Sequence, residues 1–118
     1  MEDRKIIGLT EKVEIVGEKN SKTVRARIDT GAATSSIDVS LASDLFLGPI
    51  VRVKTIKSSL GKDKRPVVRA KIRIKGVEVS TYFTVADRAH MKYPVLIGRN
   101  LLRKLPVLID PNLNEDKK

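Results

Sequence analysis

The sequence predicts a mostly β fold, a small closed barrel with one or two short helices. Three observations carry that expectation. Apolar and polar residues alternate over long stretches: Val68, Ala70, Ile72 and Ile74 interleave with Arg69, Lys71, Arg73 and Lys75, and Val77, Val79, Thr81, Phe83 and Val85 continue with the same period of two. Polar, glycine-containing clusters at residues 17–21 and at Gly76 punctuate these stretches as turns do. Helical spacing occurs only twice and briefly, at Leu41 with Leu45 and at Leu101, Leu102 and Leu105.

At 118 residues the chain has the length of one domain, expected over residues 1–111, with a polar, disordered tail at 112–118. Val13 and Ile15 set between Lys12 and Glu14 predict a first strand. Val24, Ala26 and Ile28, alternating with Thr23, Arg25 and Arg27, predict the next. Residues 35–39 read as a short extended piece, after which Ser40 is placed to cap a brief helix that Gly48-Pro49 ends. Residues 50–57 and 66–75 read as a long hairpin with its turn at 58–65, and its second arm presents one apolar and one strongly basic face. Val95, Leu96 and Ile97 make a short strand buried on both faces, and residues 106–111 a closing strand.

The net charge of +10, from 24 basic against 14 acidic residues, favours an anionic partner or serves solubility. Only four aromatics occur (Phe46, Tyr82, Phe83, Tyr93), and they do not interleave with the basic residues. Single-strand binders need stacking platforms, so nucleic acid is disfavoured as the partner. The absence of cysteine excludes disulfides, thiol catalysis and thiolate metal sites, and makes a cytoplasmic location the default expectation. No apolar run reaches spanning length and the first residues lack a secretory apolar core, so neither a membrane span nor a signal peptide is expected.

Chemistry concentrates where the second predicted strand runs into Asp29-Thr30-Gly31-Ala32-Ala33-Thr34. The strand holds a carboxylate rigidly, Thr30 can tie the loop by hydrogen bonds, and Gly31 leaves room for a second backbone or a substrate. Alone, Asp-Thr-Gly is also an ordinary way to end a strand in a turn.

A second segment agrees with the first. Tyr93-Pro94-Val95-Leu96-Ile97-Gly98-Arg99-Asn100-Leu101-Leu102 together with Ile28-Asp29-Thr30-Gly31-Ala32 resembles the two signatures of retropepsin-like aspartic proteases. Through Arg65-Pro66-Val67-Val68, Phe83-Thr84-Val85-Ala86-Asp87-Arg88 and His90-Met91-Lys92-Tyr93-Pro94 the chain is similar to one branch, often labelled "ATP-dependent zinc protease" and associated with RimK-type ATP-grasp glutamate ligases. The likeness covers about residues 10–111. It implies a retropepsin-like barrel and an aspartic endopeptidase with Asp29, Thr30 and Gly31 as the catalytic loop. With one Asp-Thr-Gly per chain it also implies a homodimer, because the chemistry needs two carboxylates sharing a proton. Thr30 would lock the two loops together, the hairpin would be the flap, and Gly98, Arg99 and Asn100 would support the loop. Gly98 would permit close packing, Asn100 would satisfy backbone groups at the helix start, and Arg99 would pair with a carboxylate. The substrate side is expected at Ala32, Lys62, Arg69 and Arg88, with acidic or glutamate-extended peptides drawn in by a basic flap. Ala32 offers the carboxylate no hydroxyl, which favours activity nearer neutral pH.

The chain departs from that branch where many members carry Arg directly after the Asp-Thr-Gly-Ala element and this one carries Ala33. Arg27, Arg69 or Arg88 would have to contact substrate acids instead, or the substrate differs. With one histidine, His90, and no cysteine, the chain lacks the donors of a tetrahedral zinc site, and no phosphate loop supports ATP dependence. No cofactor or metal is therefore expected. The competing reading is a non-catalytic basic β-barrel that binds nucleic acid or an acidic protein through the face from Arg69 to Lys75.

Overall fold

The computed structural model describes residues 3–113, except for the side chain of residue 58. The described residues form β1 (Lys5–Ile7), β2 (Thr10–Val16), β3 (Ser21–Ile28), β4 (Ser35–Asp38), α1 (Val39–Asp44), β5 (Ile50–Ser58), β6 (Gly61–Ile74), β7 (Val77–Ala86), β8 (Val95–Ile97), α2 (Arg99–Leu102) and β9 (Val107–Ile109). Residues 114–118 of the expected tail lie outside them.

Strands run in the order β2-β3-β8-β4-β7-β6-β5, and a further pairing of β2 with β6 closes all but β5 into a barrel. Closure removes the exposed edges that an open sheet of this size would carry. Ile15, Ala26, Ile37, Ile72, Phe83, Val95 and Ile97 point inward and are essentially inaccessible to water. Burying each large side chain contributes about 1.5–3 kcal/mol against leaving it exposed. Their alternation with polar neighbours is the pattern read from the sequence. In β6, Arg69, Lys71 and Arg73 are exposed between buried Val68, Ala70, Ile72 and Ile74.

Four details differ from the sequence expectation. The cap of α1 is Asp38, whose carboxylate accepts from Ser40 N at 3.1 Å, because Asp38 is extended while Ser40 already lies within the helix. The helix also stops at Asp44, before Gly48-Pro49. The 58–65 turn is mostly strand: β5 and β6 pair out to Ser58 with Gly61, since ladder hydrogen bonds between hairpin arms form in solvent without a buried face. Finally, β1 was not anticipated. It pairs in parallel with β9, bringing residues from the two ends of the chain together, which no local pattern encodes.

Strand β6 serves two structures. Up to Pro66 it pairs with β5, in a hairpin arm whose Lys54, Ile56 and Arg65 share a cavity with Ser36 and Thr84 of the barrel, and from Val67 on it pairs with β7 and, at Lys71–Arg73, with β2. The turn from β6 to β7 places both Lys75 (φ 50°) and Gly76 (φ 78°) in the left-handed region, the twist that a two-residue hairpin loop requires.

On the barrel half of β6 the basic face is largely neutralised. Arg73 donates to Glu78 at 2.8 Å and to Glu14 at 3.0 Å, Lys71 lies 3.5 Å from Glu78, and Lys75 lies 3.7 Å from Glu11. Hydrogen bonds from Ser21 and then Arg73 hold the Glu14 carboxyl below its ordinary value of 4.5, and Arg73 does the same for Glu78. Groups whose folded pKa is lowered stabilise the fold above the ordinary carboxylate range and cease to as pH falls through the lowered values. Arg73→Ala should therefore reduce the melting temperature slightly at neutral pH and not at all in strong acid. Thermal melts across pH check this, and the neutral-pH effect should shrink with added salt.

Candidate active site

Asp29 follows directly on β3, and its position is fixed by backbone bonds on both sides. Ile28 N donates to Leu9 O at 2.9 Å, and Asp29 N donates to Ile97 O at 2.9 Å, extending the parallel pairing of β3 with β8 to the last possible residue. The carboxylate is half-buried. Its Oδ1 accepts from Gly31 N at 2.9 Å, an Asx-type closure that points the group out of the loop. A Cβ on Gly31 would sit 3.2 Å from that same oxygen, so even a methyl there would press on the carboxylate.

Behind this loop lies the junction of β8 with α2. Arg99 N donates to Ala32 O at 2.8 Å and Asn100 N to Ala33 O at 3.2 Å. Gly98 makes this approach possible: a Cβ there would meet the Thr34 carbonyl carbon and oxygen at 2.8 Å and Ala32 O at 2.9 Å. Gly98 N also donates to Ser35 Oγ at 2.9 Å, and Ser35 Oγ donates to Asn100 Oδ1 at 2.8 Å. That oxygen also accepts from Ser35 N at 2.9 Å, while Asn100 Nδ2 donates to Tyr82 O at 2.8 Å. Asn100 was expected to serve the helix start. It instead ties β4 to β7 across the rear of the site. Arg99 was expected to meet a carboxylate, but its Nη1 donates to Thr30 O at 3.0 Å. The Thr30 side chain is exposed, and among the described residues its hydroxyl has no partner.

The substrate-side residues scatter. Arg88 lines a cavity of about 270 Å³ beside the loop, together with Ala32, Ala33, Thr34, Ser36, Lys54, Ile56, Arg65, Thr84 and Leu96. Ala32 therefore lies between the Asp29 loop and this cavity. Lys62 stands on the exposed outer arm of the hairpin, opposite Lys57. Arg69 lies elsewhere: its guanidinium is 5.3 Å from the Tyr82 ring centroid, with that of Arg52 at 4.9 Å, and it lines a separate groove with Val16, Phe46 and Val51. Of the sequence-derived residues, the structure thus gathers Asp29, Thr30, Gly31, Ala32, Gly98, Arg99 and Asn100 into one assembly, with Arg88 next to it.

Sequence reasoning missed Ser36, Lys54 and Arg65 at this cavity, and Asp38 behind it. Asp38 is nearly buried and accepts from Arg88 N at 2.8 Å, while Arg88 Nε donates to Tyr93 O at 3.0 Å. Burial lowers the Arg88 guanidinium below its ordinary value. The Asp38 charge opposes this, and the positive charges of Arg65 and Arg27 add to it. The only available signal was the alternation of Ser36 with Ser35 and Ile37, which marks Ser36 as facing away from the core.

Zinc does not fit. His90 is exposed in the 87–94 segment, and among the described residues no three His, Asp or Glu side chains gather as metal ligands. No described helix is long and apolar enough to cross a membrane.

A closed barrel with an Asp-Thr-Gly loop braced by a Gly-Arg-Asn turn defines a retropepsin-like domain. Solved structures agree on the fold. A Legionella pneumophila protein of unknown function superimposes with a TM-score of 0.69 at 22% identity, over 98% of this chain and 100% of that one. The EIAV protease complexed with the inhibitor HBY-793 gives 0.67 at 24% identity, over 93% and 95%. The simian foamy virus (mac) protease gives 0.59 at 18% identity, over 82% and 98%. No curated protein sequence matches. A sequence model described as RimB-like, retropepsin-like aspartic endopeptidase RimB, matches residues 41–118, two thirds of the chain, and the chain belongs to that family. The matched stretch begins after Asp29-Thr30-Gly31, so the loop's place in the site stands on its own geometry.

Gly98→Ala should destabilise the fold by about 1–3 kcal/mol, because the added methyl meets backbone atoms that cannot rotate away. Urea denaturation measures this directly.

Proposed function

We propose that the chain is a homodimeric aspartic endopeptidase. Peptide bonds are hydrolysed by a water activated between two Asp29 carboxylates, one from each protomer. One carboxylate is charged and takes the proton from water; the other is protonated, polarises the scissile carbonyl and later protonates the departing amine. The single observation that carries this reading is a half-buried Asp29 held at a fixed angle by Gly31 N and by the β3–β8 ladder, with Gly31 bare beside it.

The dimer reading is supported by the surface next to that loop. Thr30, Arg99, Leu102, Val107, Leu108 and Ile109 line one shallow concavity, which joins the catalytic loop to β9. Ile6 and Leu108 are cross-strand partners in the β1–β9 pair and are 42% and 53% exposed, with Leu9 at 52% nearby in sequence. A second copy of the chain would cover these side chains while meeting the free Thr30 hydroxyl.

The substrates proposed are acidic or glutamate-extended peptides. The +10 charge and the cations around the cavity next to Ala32 support that class, and the family resemblance supports association with an ATP-grasp glutamate ligase in the cytoplasm. The competing binding module would use the face from Arg69 to Lys75, where Lys71, Arg73 and Lys75 already have acidic partners.

Peptide cleavage should be abolished by Asp29→Asn and unaffected by EDTA, with sedimentation confirming that the variant still dimerises. Any retained cleavage would sink the mechanism. Leu108→Glu should shift the protein toward monomer and lower specific activity at low protein concentration, measured by sedimentation and assay together. Ala32→Ser would add a donor near the carboxylate, stabilise its charged form and move the acid limb of the rate profile to lower pH.

A further inference from the structure

Across four neighbouring strands, Arg27, Leu96, Ser36 and Thr84 occupy one row. Arg27 pairs with Leu96, Leu96 is flanked on its other side by Ser36, and Ser36 pairs with Thr84.

 The row faces away from the barrel core, whose side chains come from the alternate residues Ala26, Val95, Ile37 and Phe83. Ser36 and Thr84 are nevertheless buried, at 7% and 4% exposure, because they form the floor of the 270 Å³ cavity beneath Lys54, Ile56 and Arg65 of the hairpin arm.

Ser36 Oγ is buried with no hydrogen-bond partner among the described residues. A buried hydroxyl left unpaired costs about 1–3 kcal/mol, so its retention on a cavity floor needs a reason. Three cations line the same cavity. Arg65 is partly engaged by Asp63 at 3.2 Å, and Lys54 donates to Thr34 Oγ1 at 2.9 Å. Arg88 is half-buried, its Nε is fixed on Tyr93 O, and neither Lys54 nor Arg88 has a carboxylate within ion-pair distance among the described residues. Asp38, the nearest acid to Arg88, turns its oxygens to the backbone N–H groups of Ser40 and Arg88.

We propose that this cavity binds the side-chain carboxylate of an acidic residue in the substrate, with Ser36 Oγ donating the orienting hydrogen bond and Arg88 and Lys54 supplying the charge. As a substrate subsite it rests on the peptidase reading; as a carboxylate site it does not. The groups come from one protomer, so each chain binds one acidic side chain, next to Ala32 and thus beside its own Asp29 loop.

The test uses the full-length Asp29→Asn chain, which should bind without cleaving, and capped hexaglutamate and hexaglutamine peptides in calorimetric titrations. A chain of charge +10 attracts any polyanion, so Ser36→Ala is the decisive variant: it changes no charge. Hexaglutamate should bind Ser36→Ala about tenfold more weakly, the scale of one hydrogen bond to a charged group. The same substitution should keep or raise the melting temperature, because it removes an unpaired buried hydroxyl, whereas a merely structural serine would lower it. Arg88→Gln should weaken binding more than Lys19→Gln, a matched charge change at an exposed turn residue. Equal hexaglutamate affinity for Ser36→Ala and its parent, or equal binding of hexaglutamine, overturns the proposal, as does tighter binding of a matched phosphoserine peptide. Cleavage by the Asp29-containing chain is scored separately. Ser36-dependent binding without cleavage upholds the cavity and removes the peptidase; cleavage without Ser36 dependence does the reverse.

Discussion

Two backbones lie against each other at Gly98 because no side chain separates them. Through that contact, the loop after β3 and the turn after β8 hold one another: Ala32 and Ala33 carbonyls accept from Arg99 and Asn100 N–H groups, which are also the first free donors of α2. Ser35 and Asn100 then carry the brace sideways into β4 and β7. The position of Asp29 is set by this lattice of short bonds and not by burial of its own side chain. In the proposed dimeric mechanism a carboxylate meets a second one across a symmetry axis, which needs that kind of fixing, since small angular errors at the loop become large ones at its tip.

The barrel and the hairpin arm divide the labour along a single strand. Where β6 runs inside the barrel, Lys71 and Arg73, with Lys75 just after it, are bound to Glu78, Glu14 and Glu11 and stabilise the sheet locally. Where it leaves the barrel, Arg65 turns toward the cavity beside the Asp29 loop, and Lys54 joins it from β5. Net charge is therefore a poor guide to where an anion would bind. A basic stripe with acidic cross-strand neighbours is nearly neutral to a ligand, while a few cations around a partly dehydrated hollow act strongly because little water screens them.

Much of this was legible in the residues. Period-two alternation fixed which side chains of β2, β3, β6 and β7 face the core, since a strand offers only two sides and water accepts only one of these sets. The Asp29-Thr30-Gly31 and Gly98-Arg99-Asn100 segments could be singled out because each places a special residue type at the end of an apolar strand. Less legible was what those residues touch. Arg99 reaches a carbonyl, Asn100 spans β4 and β7, and Asp38 rather than Ser40 caps α1, each decided by groups that arrive from far along the chain.

By itself, the sequence determined the β class, the inward and outward faces, the turn at Gly76 and the residues with the means for acid–base chemistry, because all of these follow from local period, backbone preference and functional group. Only the tertiary structure decided that β2 and β6 close a barrel, that the two ends of the chain meet in β1 and β9, and that Ser36, Lys54 and Arg88 share one cavity. Those outcomes depend on pairings between segments tens of residues apart, whose partners are chosen by the packing of the whole core and by no pattern within either segment.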